Sequence, residues 1–374
     1  MPGDPISHLR SALVVGDRWN RGALAAVRGL ARAGWRVGVG SQGRTGHAQR
    51  SRHCARWHHV PLAEAGEDAF TEAVAAAVDG GGYDVVFAVG DAEVLTLSKC
   101  RAKIAAVVPM PDHEVVERCF DKAVAAELAG YAGLSVPRPG TSAGFPVVVK
   151  ARRHWLGGDV GDRSRFAIQV ARDETELSEA VAALEASGVP AIVQEQVSGP
   201  LLSVITLTAP GGRVVARQQQ VAERVWPSGA GVSVRARSVA CDRELHEGVD
   251  AFLADLGWWG LCQLQFLVDR DGVPRLIDVN GRFYGSLALA EAAGLPLAAM
   301  WGAMAVGEPV SAAPAGRVGV RYQWLAGDLR RALSQHDVPS TLRYAVGATH
   351  SLLSWSDPRP ALAYLNDLIL RRNR

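Results

Sequence analysis

The sequence predicts a doubly wound α/β domain at the N-terminus, followed by α+β units in which strands come to dominate. Three observations predict it. Between residues 11 and 110, short apolar runs alternate with amphipathic stretches of helical spacing, the order of parallel βαβ units. A rigid Val136-Pro137-Arg138-Pro139-Gly140 segment then breaks the pattern. From Leu201 onward, β-rich runs follow one another with hairpin signals between them.

In chain order, Ser11–Gly16 reads as a small apolar strand and Arg21–Ala33 as a helix stopped by Gly34. Trp35–Val39 is a second strand. Ala69–Val78 is helical, Gly80–Gly82 breaks it, and Asp84–Val89 is a further strand. Ligands bind beyond the carboxyl ends of such strands, so Gly16–Asp17 and Gly90–Asp91 are candidate lining positions. A helix-rich stretch runs from about His113 to Gly133. Beyond the proline segment, Phe145–Lys150 is a β-rich run ending on lysine, and Leu156–Gly161 is a glycine-containing loop. Phe166–Val170 and Ala191–Gln194 read as strands around a helix at Glu174–Ala186. Leu201–Thr208, Arg213–Gln219, Gly231–Ser238, Leu261–Asp269 and Pro274–Val279 are strands; Pro210-Gly211-Gly212 and Asp269-Arg270-Asp271-Gly272 supply turns. Helices return at Ser286–Ala293 and after Pro296, and the last fifty residues look helical, with breaks at Pro339, Pro358 and Pro360.

The 374 residues allow two or three domains at roughly 100–200 residues each. With 48% hydrophobic and 21% charged residues, the chain has the composition of a globular enzyme rather than a disordered segment. A net charge of +2 gives no bulk electrostatic reason to expect nucleic acid or a membrane surface as partner. Arg371, Arg372 and Arg374 read as a solvated chain end. The five cysteines include no C-x-x-C pair and suggest neither a disulfide framework nor a zinc site. Met1–Arg10 lacks the apolar core of a signal peptide, and no apolar run is long enough to span a bilayer, so the expected compartment is the cytoplasm. Of the 40 basic residues only four are lysines, Lys99, Lys103, Lys122 and Lys150. A retained lysine marks a position where a compact ammonium serves and a planar guanidinium does not.

Three motif matches fail on context. Gly38-Val39-Gly40-Ser41-Gln42-Gly43 fits G-x-G-x-x-G, but Arg44–Arg56 is polar and basic, not the apolar helix a dinucleotide site needs. Gly140-Thr141-Ser142-Ala143-Gly144 fits G-x-S-x-G, but proline precedes it and a strand follows. His53, Cys54, His58 and His59 have no standard zinc spacing. No Walker A sequence occurs.

Four features remain, in a telling order. Asp121-Lys122 precedes the proline segment. Phe145-Pro146-Val147-Val148-Val149-Lys150 ends a strand on an ammonium, a point charge on a rigid element suited to phosphate oxygens. Ile192-Val193-Gln194-Glu195-Gln196-Val197-Ser198-Gly199 offers backbone groups and one acid to an adenine edge. Gln263-Leu264-Gln265-Phe266 is joined by a hairpin turn to Leu276-Ile277-Asp278-Val279-Asn280-Gly281-Arg282. Asp278 and Asn280, two apart on a strand, share a face, and Gln265 on the partner strand lies near them. One carboxylate with neutral amides suits Mg²⁺, which binds largely through substrate phosphates. Arg282 follows on that face, able to hold a phosphate bidentately.

This order resembles the ATP-grasp superfamily over nearly the whole chain, and most closely its predicted ATP-dependent carboligases, the carboxylate–amine ligase branch. Gly133-Leu134-Ser135-Val136-Pro137, Trp226-Pro227-Ser228-Gly229-Ala230-Gly231-Val232-Ser233, Arg282-Phe283-Tyr284-Gly285-Ser286-Leu287 and Ala292-Ala293-Gly294-Leu295-Pro296 are similar to that branch's segments. The resemblance implies an N-terminal α/β domain at 1–112, a lid subdomain at 113–192, a large ATP-binding subdomain at 193–310 and a helical tail at 311–374. It implies ATP held by Lys122, Lys150, Gln194, Glu195 and the Val197 backbone, and Mg²⁺ held by Gln265, Asp278 and Asn280. Lys150 and Arg282 would serve the transferred phosphoryl group, and Arg224, Arg235 and Ser286 the substrates. The Leu156–Gly161 loop would close over the phosphates. The activity implied is ADP-forming ligation of a small-molecule acid to an amine through an acyl-phosphate, by a monomer or homodimer. The family usually has glutamate where Gln265 stands, often glutamate at Asp278 and proline at Gly281. The acid that contacts ribose is missing after Gly199, and the basic cluster before the glycine turn is reduced to Arg224. A non-catalytic ATP-binding protein and an ATP-grasp enzyme with a non-amine acceptor therefore stand as alternatives.

Overall fold

The computed structural model describes residues 9–153, 168–227 and 231–372. The first unit contains β1 (Ser11–Val15), α1 (Arg21–Arg32), β2 (Arg36–Ser41), β3 (Cys54–His59), α2 (Glu67–Gly81), β4 (Val85–Ala88) and α3 (Asp91–Cys100). Among the described residues its sheet runs β3-β2-β1-β4, parallel throughout. The strand order reverses between β1 and β4, the kind of point beyond whose carboxyl ends such sheets bind ligands. Asn20 fixes that point. Its side chain caps α1 by accepting from Ala23 N at 3.1 Å and donates to Val89 O, beyond β4, at 2.9 Å. Helix α2 runs two residues into the expected glycine break and stops at Gly82, whose φ of 59° lies in the left-handed region that favours glycine.

Strand β3 was not expected. It is the sheet edge, with every side chain half-buried or exposed, so Cys54–His59 lacks the apolar alternation that marks a strand. Only a short 3₁₀ turn, Ala48–Arg50, separates it from β2, and no helix follows the glycine pattern at Gly38–Gly43.

The second unit comprises α4 (His113–Phe120), α5 (Lys122–Tyr131), β5 (Val147–Ala151), β6 (Gln169–Ala171), α6 (Glu174–Ala186) and β7 (Ala191–Glu195). Strands β6-β5-β7 pair antiparallel and pack on α6 through Val147, Val149, Ala180, Leu184 and Val189. Helices α4 and α5 pack not on α6 but on the following unit. Val116, Cys119, Phe120, Ala125 and Ala129 join the core of the following unit with Phe252, Leu256 and Leu264.

The third unit holds β8 (Leu201–Thr208), β9 (Val214–Trp226), β10 (Val232–Val239), α7 (Arg243–Leu256), β11 (Gly260–Val268), β12 (Pro274–Asn280), α8 (Leu287–Ala292) and α9 (Leu297–Ala305). It continues through β13 (Arg321–Gln323), α10 (Leu325–Ser334), α11 (Val338–Ala345), β14 (Thr349–His350) and α12 (Arg359–Arg372). Its sheet runs β12-β11-β8-β9-β10-β13-β14. The expected helical tail thus supplies two strands to this sheet, each too short to show a period of two.

First and third units share one interior. Phe87, Phe283 and Trp301 meet with ring centroids 5.0–5.2 Å apart. All three are buried, and truncating one to alanine costs about 3–5 kcal/mol. A buried polar knot adds to the union: Asp357 accepts from Arg28 Nε at 2.9 Å, Ser51 Oγ at 2.7 Å and Arg52 N at 2.9 Å. Among the described residues no helix is long and apolar enough to cross a membrane.

Candidate active site

The β11–β12 hairpin sets out the floor of the site. Gln265 lies directly opposite Asp278, and Gln263 opposite Asn280, so all four side chains share one sheet face. Asn280 Nδ2 donates to Asp278 Oδ2 at 3.3 Å, and Asn280 Oδ1 accepts from Arg282 Nη2 at 2.9 Å. Arg282 Nε in turn donates to Asp91 Oδ1 at 2.5 Å. Burial alone would lower the Arg282 pKa; the Asp91 carboxylate outweighs it and holds the pKa above its ordinary value. Gly281 leaves room for this turn, because a Cβ there would stand 2.2 Å from the Trp258 ring.

Two lysines converge from the other side. On β5, Val147 and Val149 face the α6 core, so Lys150 faces the cleft. Its Nζ donates to Ile277 O at 2.9 Å. Burial brings its pKa down to about 8, with Asp278 opposing and Lys122 assisting. Lys122 is the first residue of α5. Asp121 caps that helix by accepting from Ala123 and Val124 N, and also takes Arg152 Nε at 2.8 Å and Arg153 Nε at 3.1 Å. Burial raises the Asp121 pKa, but these donors win and keep it below the ordinary carboxylate range. Lys122 Nζ thereby stands 3.8 Å from Asp278 Oδ1. Gln194, opposite Val148 on β7, shares the Lys150 face. One cleft is lined by Asp91, Lys122, Lys150, Gln194, Ile277 and Asp278. Its cations outnumber its carboxylates once Arg282 is included.

The remaining sequence candidates fare differently. The Glu195 carboxylate is already engaged by Arg138, with Nε to Oε2 at 2.7 Å and N to Oε1 at 3.0 Å. Burial would raise its pKa, but Arg138 lowers it overall. Its backbone N–H is engaged as well, donating to Arg138 O at 2.8 Å. Val197 is half-buried just beyond β7. Arg224 is exposed on β9. Arg235, expected to bind an acid, is corrected: it is buried, and its Nε bonds Asp328 Oδ2 at 2.6 Å, Nη1 Ser340 Oγ at 3.2 Å and Nη2 Thr341 Oγ1 at 2.9 Å. It fastens α10 and α11 to the sheet. Ser286 is buried and accepts from Gln220 Nε2 at 2.7 Å. The Leu156–Gly161 loop and Ser228–Ala230 of the tryptophan-led segment lie outside the described residues, as do the side chains of the C-terminal arginines.

Sequence reasoning placed Asp91 at a strand end but missed its bond to Arg282.

Residues 188–327 match the family described as "ATP-grasp in the biosynthetic pathway with Ter operon". No curated protein sequence matches the chain. Among solved structures, the chain is similar to the biotin carboxylase–β-γ-ATP complex from Campylobacter jejuni, at 17% identity and a TM-score of 0.66 over 83% of this chain and 74% of that one. It is similar to L-amino acid ligase from Bacillus licheniformis, at 17% identity and a TM-score of 0.61 over 79% and 74%. N5-carboxyaminoimidazole synthetase from Staphylococcus aureus matches at 12% identity and a TM-score of 0.61 over 83% and 80%. The strand orders, the paired lysines above the Asp278–Asn280 hairpin and these likenesses agree: the chain has the ATP-grasp fold.

Proposed function

We propose that the protein is an ADP-forming ligase that joins a small-molecule carboxylic acid to an amine through an acyl-phosphate. The observation that carries this reading is the convergence of Lys122, Lys150 and Arg282 with Asp278 and Asn280 on one cleft between the β5–β7 sheet and the β11–β12 hairpin. ATP lies in that cleft. Lys122 and Lys150 meet its phosphates, Gln194, the Glu195 carbonyl and the Val197 backbone meet its base, and Arg282 meets the phosphoryl group in transit. Asp278 and Asn280, with Gln265 opposite, form a hard oxygen set of the kind Mg²⁺ takes, and the Asp278 side chain keeps 21% of its surface open to a ligand. A bound Mg²⁺ would neutralise phosphate charge.

In the first step a carboxylate oxygen bonds to the γ-phosphorus as the bond to the bridging oxygen breaks and ADP leaves. In the second, the amine nitrogen attacks the acyl carbon, inorganic phosphate departs and the nitrogen loses a proton. Lys150 and Arg282 offset the charge that develops in the first step. No protein nucleophile enters. The reading includes a lid subdomain at 113–192, whose packed part among the described residues is β5, β6, β7 and α6. Biotin carboxylase and L-amino acid ligase, whose folds this chain shares, are consistent with nucleotide-driven chemistry on a carboxyl group.

The test is release of ADP and phosphate from Mg-ATP against amino acids offered singly and in pairs, with Lys150→Ala as control. Release that needs two substrates and vanishes in the variant supports the ligase. One observation favours a second reading, a nucleotide-binding protein without turnover: neutral Gln265 stands opposite Asp278. Nucleotide binding without release for any pair, together with turnover gained by Gln265→Glu, would favour it.

A further inference from the structure

Two cores meet at the cleft. Strands β5, β6 and β7 pack on α6 in a small core of their own, while α4 and α5 belong to the core of the large unit. Lys150 stands on the first and Lys122 on the second. The spacing of the two ammoniums therefore depends on what fastens one core to the other.

Asp121 joins them. It is the single residue between α4 and α5, and it is 1% exposed. Its carboxylate receives donors from two sides. From its own helix, Oδ1 accepts from Ala123 N at 3.1 Å and Val124 N at 3.2 Å. From the end of β5, Arg152 Nε reaches Oδ1 at 2.8 Å and Oδ2 at 2.9 Å, and Arg153 Nε reaches Oδ2 at 3.1 Å. Arg153 Nη1 also donates to Glu117 Oε1, on α4, at 3.3 Å. The main chain repeats the tie. Lys122 N donates to Arg152 O at 3.0 Å, and Arg152 N to Pro190 O, just ahead of β7, at 2.8 Å. Asp121 adjoins Lys122, and Arg152 lies two residues beyond Lys150, so one carboxylate bridges the roots of both lysines.

Helix capping does not account for this arrangement. A neutral asparagine caps a helix about as well as an aspartate. Nor do the arginines need Asp121 for solvation, because their side chains are 43% and 30% exposed. What the pairing adds is geometry: a buried charge that two donors from β5 and two from α5 hold in one place.

We propose that Asp121 is a positioning residue for the nucleotide's phosphates. By latching the exit of β5 to the start of α5, it sets the separation of Lys122 and Lys150. This rests on the nucleotide-binding part of the proposed function and adds to it a residue that itself touches no ligand.

The test is calorimetric titration of the full chain with Mg²⁺ and a non-hydrolysable ATP analogue, with adenosine measured by its competition against that analogue. Asp121→Asn keeps the cap and removes the charge. It should bind the analogue about 10-fold more weakly, a loss of the size seen within one hydrogen-bonded network, while adenosine, which has no phosphates, keeps its affinity. Replacing both Arg152→Gln and Arg153→Gln opens the latch from the other side and should cost a similar factor. Combining all three changes should add little, since the same tie is already broken. Equal weakening of adenosine and analogue overturns the assignment, because it reports general damage. So does unchanged or tighter analogue binding in Asp121→Asn, the latter giving the arginines directly to the phosphates, and so do losses that add. If Asp121→Asn does not fold, the arginine variant decides alone, and unchanged analogue affinity there refutes the latch. Failure of the wild-type chain to bind the analogue strikes the nucleotide-binding reading itself.

Discussion

Arg282 and Asp91 are 191 residues apart in sequence, yet Nε and Oδ1 stand 2.5 Å apart where the N-terminal unit meets the large sheet. Side-chain exposures of 18% and 11% mean that neither charge is well solvated. The pair orients the arginine that we assign to the transferred phosphoryl group.

Removing Asp91 leaves Arg282 buried without its carboxylate, held only by Asn280 Oδ1 and Phe283 O. Asp91→Ala should therefore destabilise the protein by about 3 kcal/mol, since breaking a buried pair costs more than it returns. Urea unfolding of the variant checks this. Asp91→Asn, which keeps a hydrogen-bond acceptor for Arg282, should recover part of the loss. Equal midpoints for Asp91→Ala and wild type would show that the pair contributes nothing to the junction.

Lys150 is buried with its ammonium against Ile277 O. Lys150→Ala should weaken binding of an ATP analogue by about 10-fold or more, which is about 1.4 kcal/mol. Lys150→Arg should fail to restore it, because a planar guanidinium does not fit where a compact ammonium does. Direct titration of both variants decides; full affinity in Lys150→Arg would mean that charge alone suffices.

Gln265→Glu places a second carboxylate directly opposite Asp278. Without metal, like charges across a strand pair should lower stability by about 0.5–1 kcal/mol. Mg²⁺ should reverse that loss in the variant and change the wild type less, by mass action on the folded state. Thermal unfolding with and without magnesium chloride measures it. A variant indifferent to Mg²⁺ would remove the hairpin face from consideration as a cation site.

Glu93 is fully buried on α3, and desolvation together with Glu64 raises its pKa from 4.5 to about 8. Because the folded value lies above the unfolded one, the folded state holds the extra proton between about pH 4.5 and 8. Stability from this group is therefore complete below pH 4.5 and declines as pH rises toward 8. Glu93→Gln should flatten that decline by more than about 1 kcal/mol, since each pKa unit is worth about 1.4 kcal/mol. Unfolding midpoints across that window test it; identical slopes for variant and wild type would refute the assignment.

Much of this could be read from residues alone, because proline and glycine punctuate the chain and the interior strands carry valine and isoleucine. Helix Glu174–Ala186 and strand Leu201–Thr208 fall on their expected bounds. Lys122, Lys150 and Asp278 were legible for a different reason: lysine is scarce here, and strand period fixes which face each residue takes. What escaped was pairing across distance. Glu195 and Arg235 have suitable chemistry, but nothing local reveals that Arg138 and Asp328 already occupy them. Strand β3 escaped because an edge strand of arginine and histidine has no buried face to imprint a period on its sequence.

The Arg28–Asp357 knot has a practical corollary for anyone dividing the polypeptide. Asp357 has no exposed surface, and it satisfies Arg28, Ser51 and the Arg52 amide at once. A fragment that ends before it would strand a guanidinium inside the N-terminal domain. The amino-terminal sheet is therefore not an independent module to be excised or exchanged; its last structural residue lies some 300 positions away, near the far end of the chain.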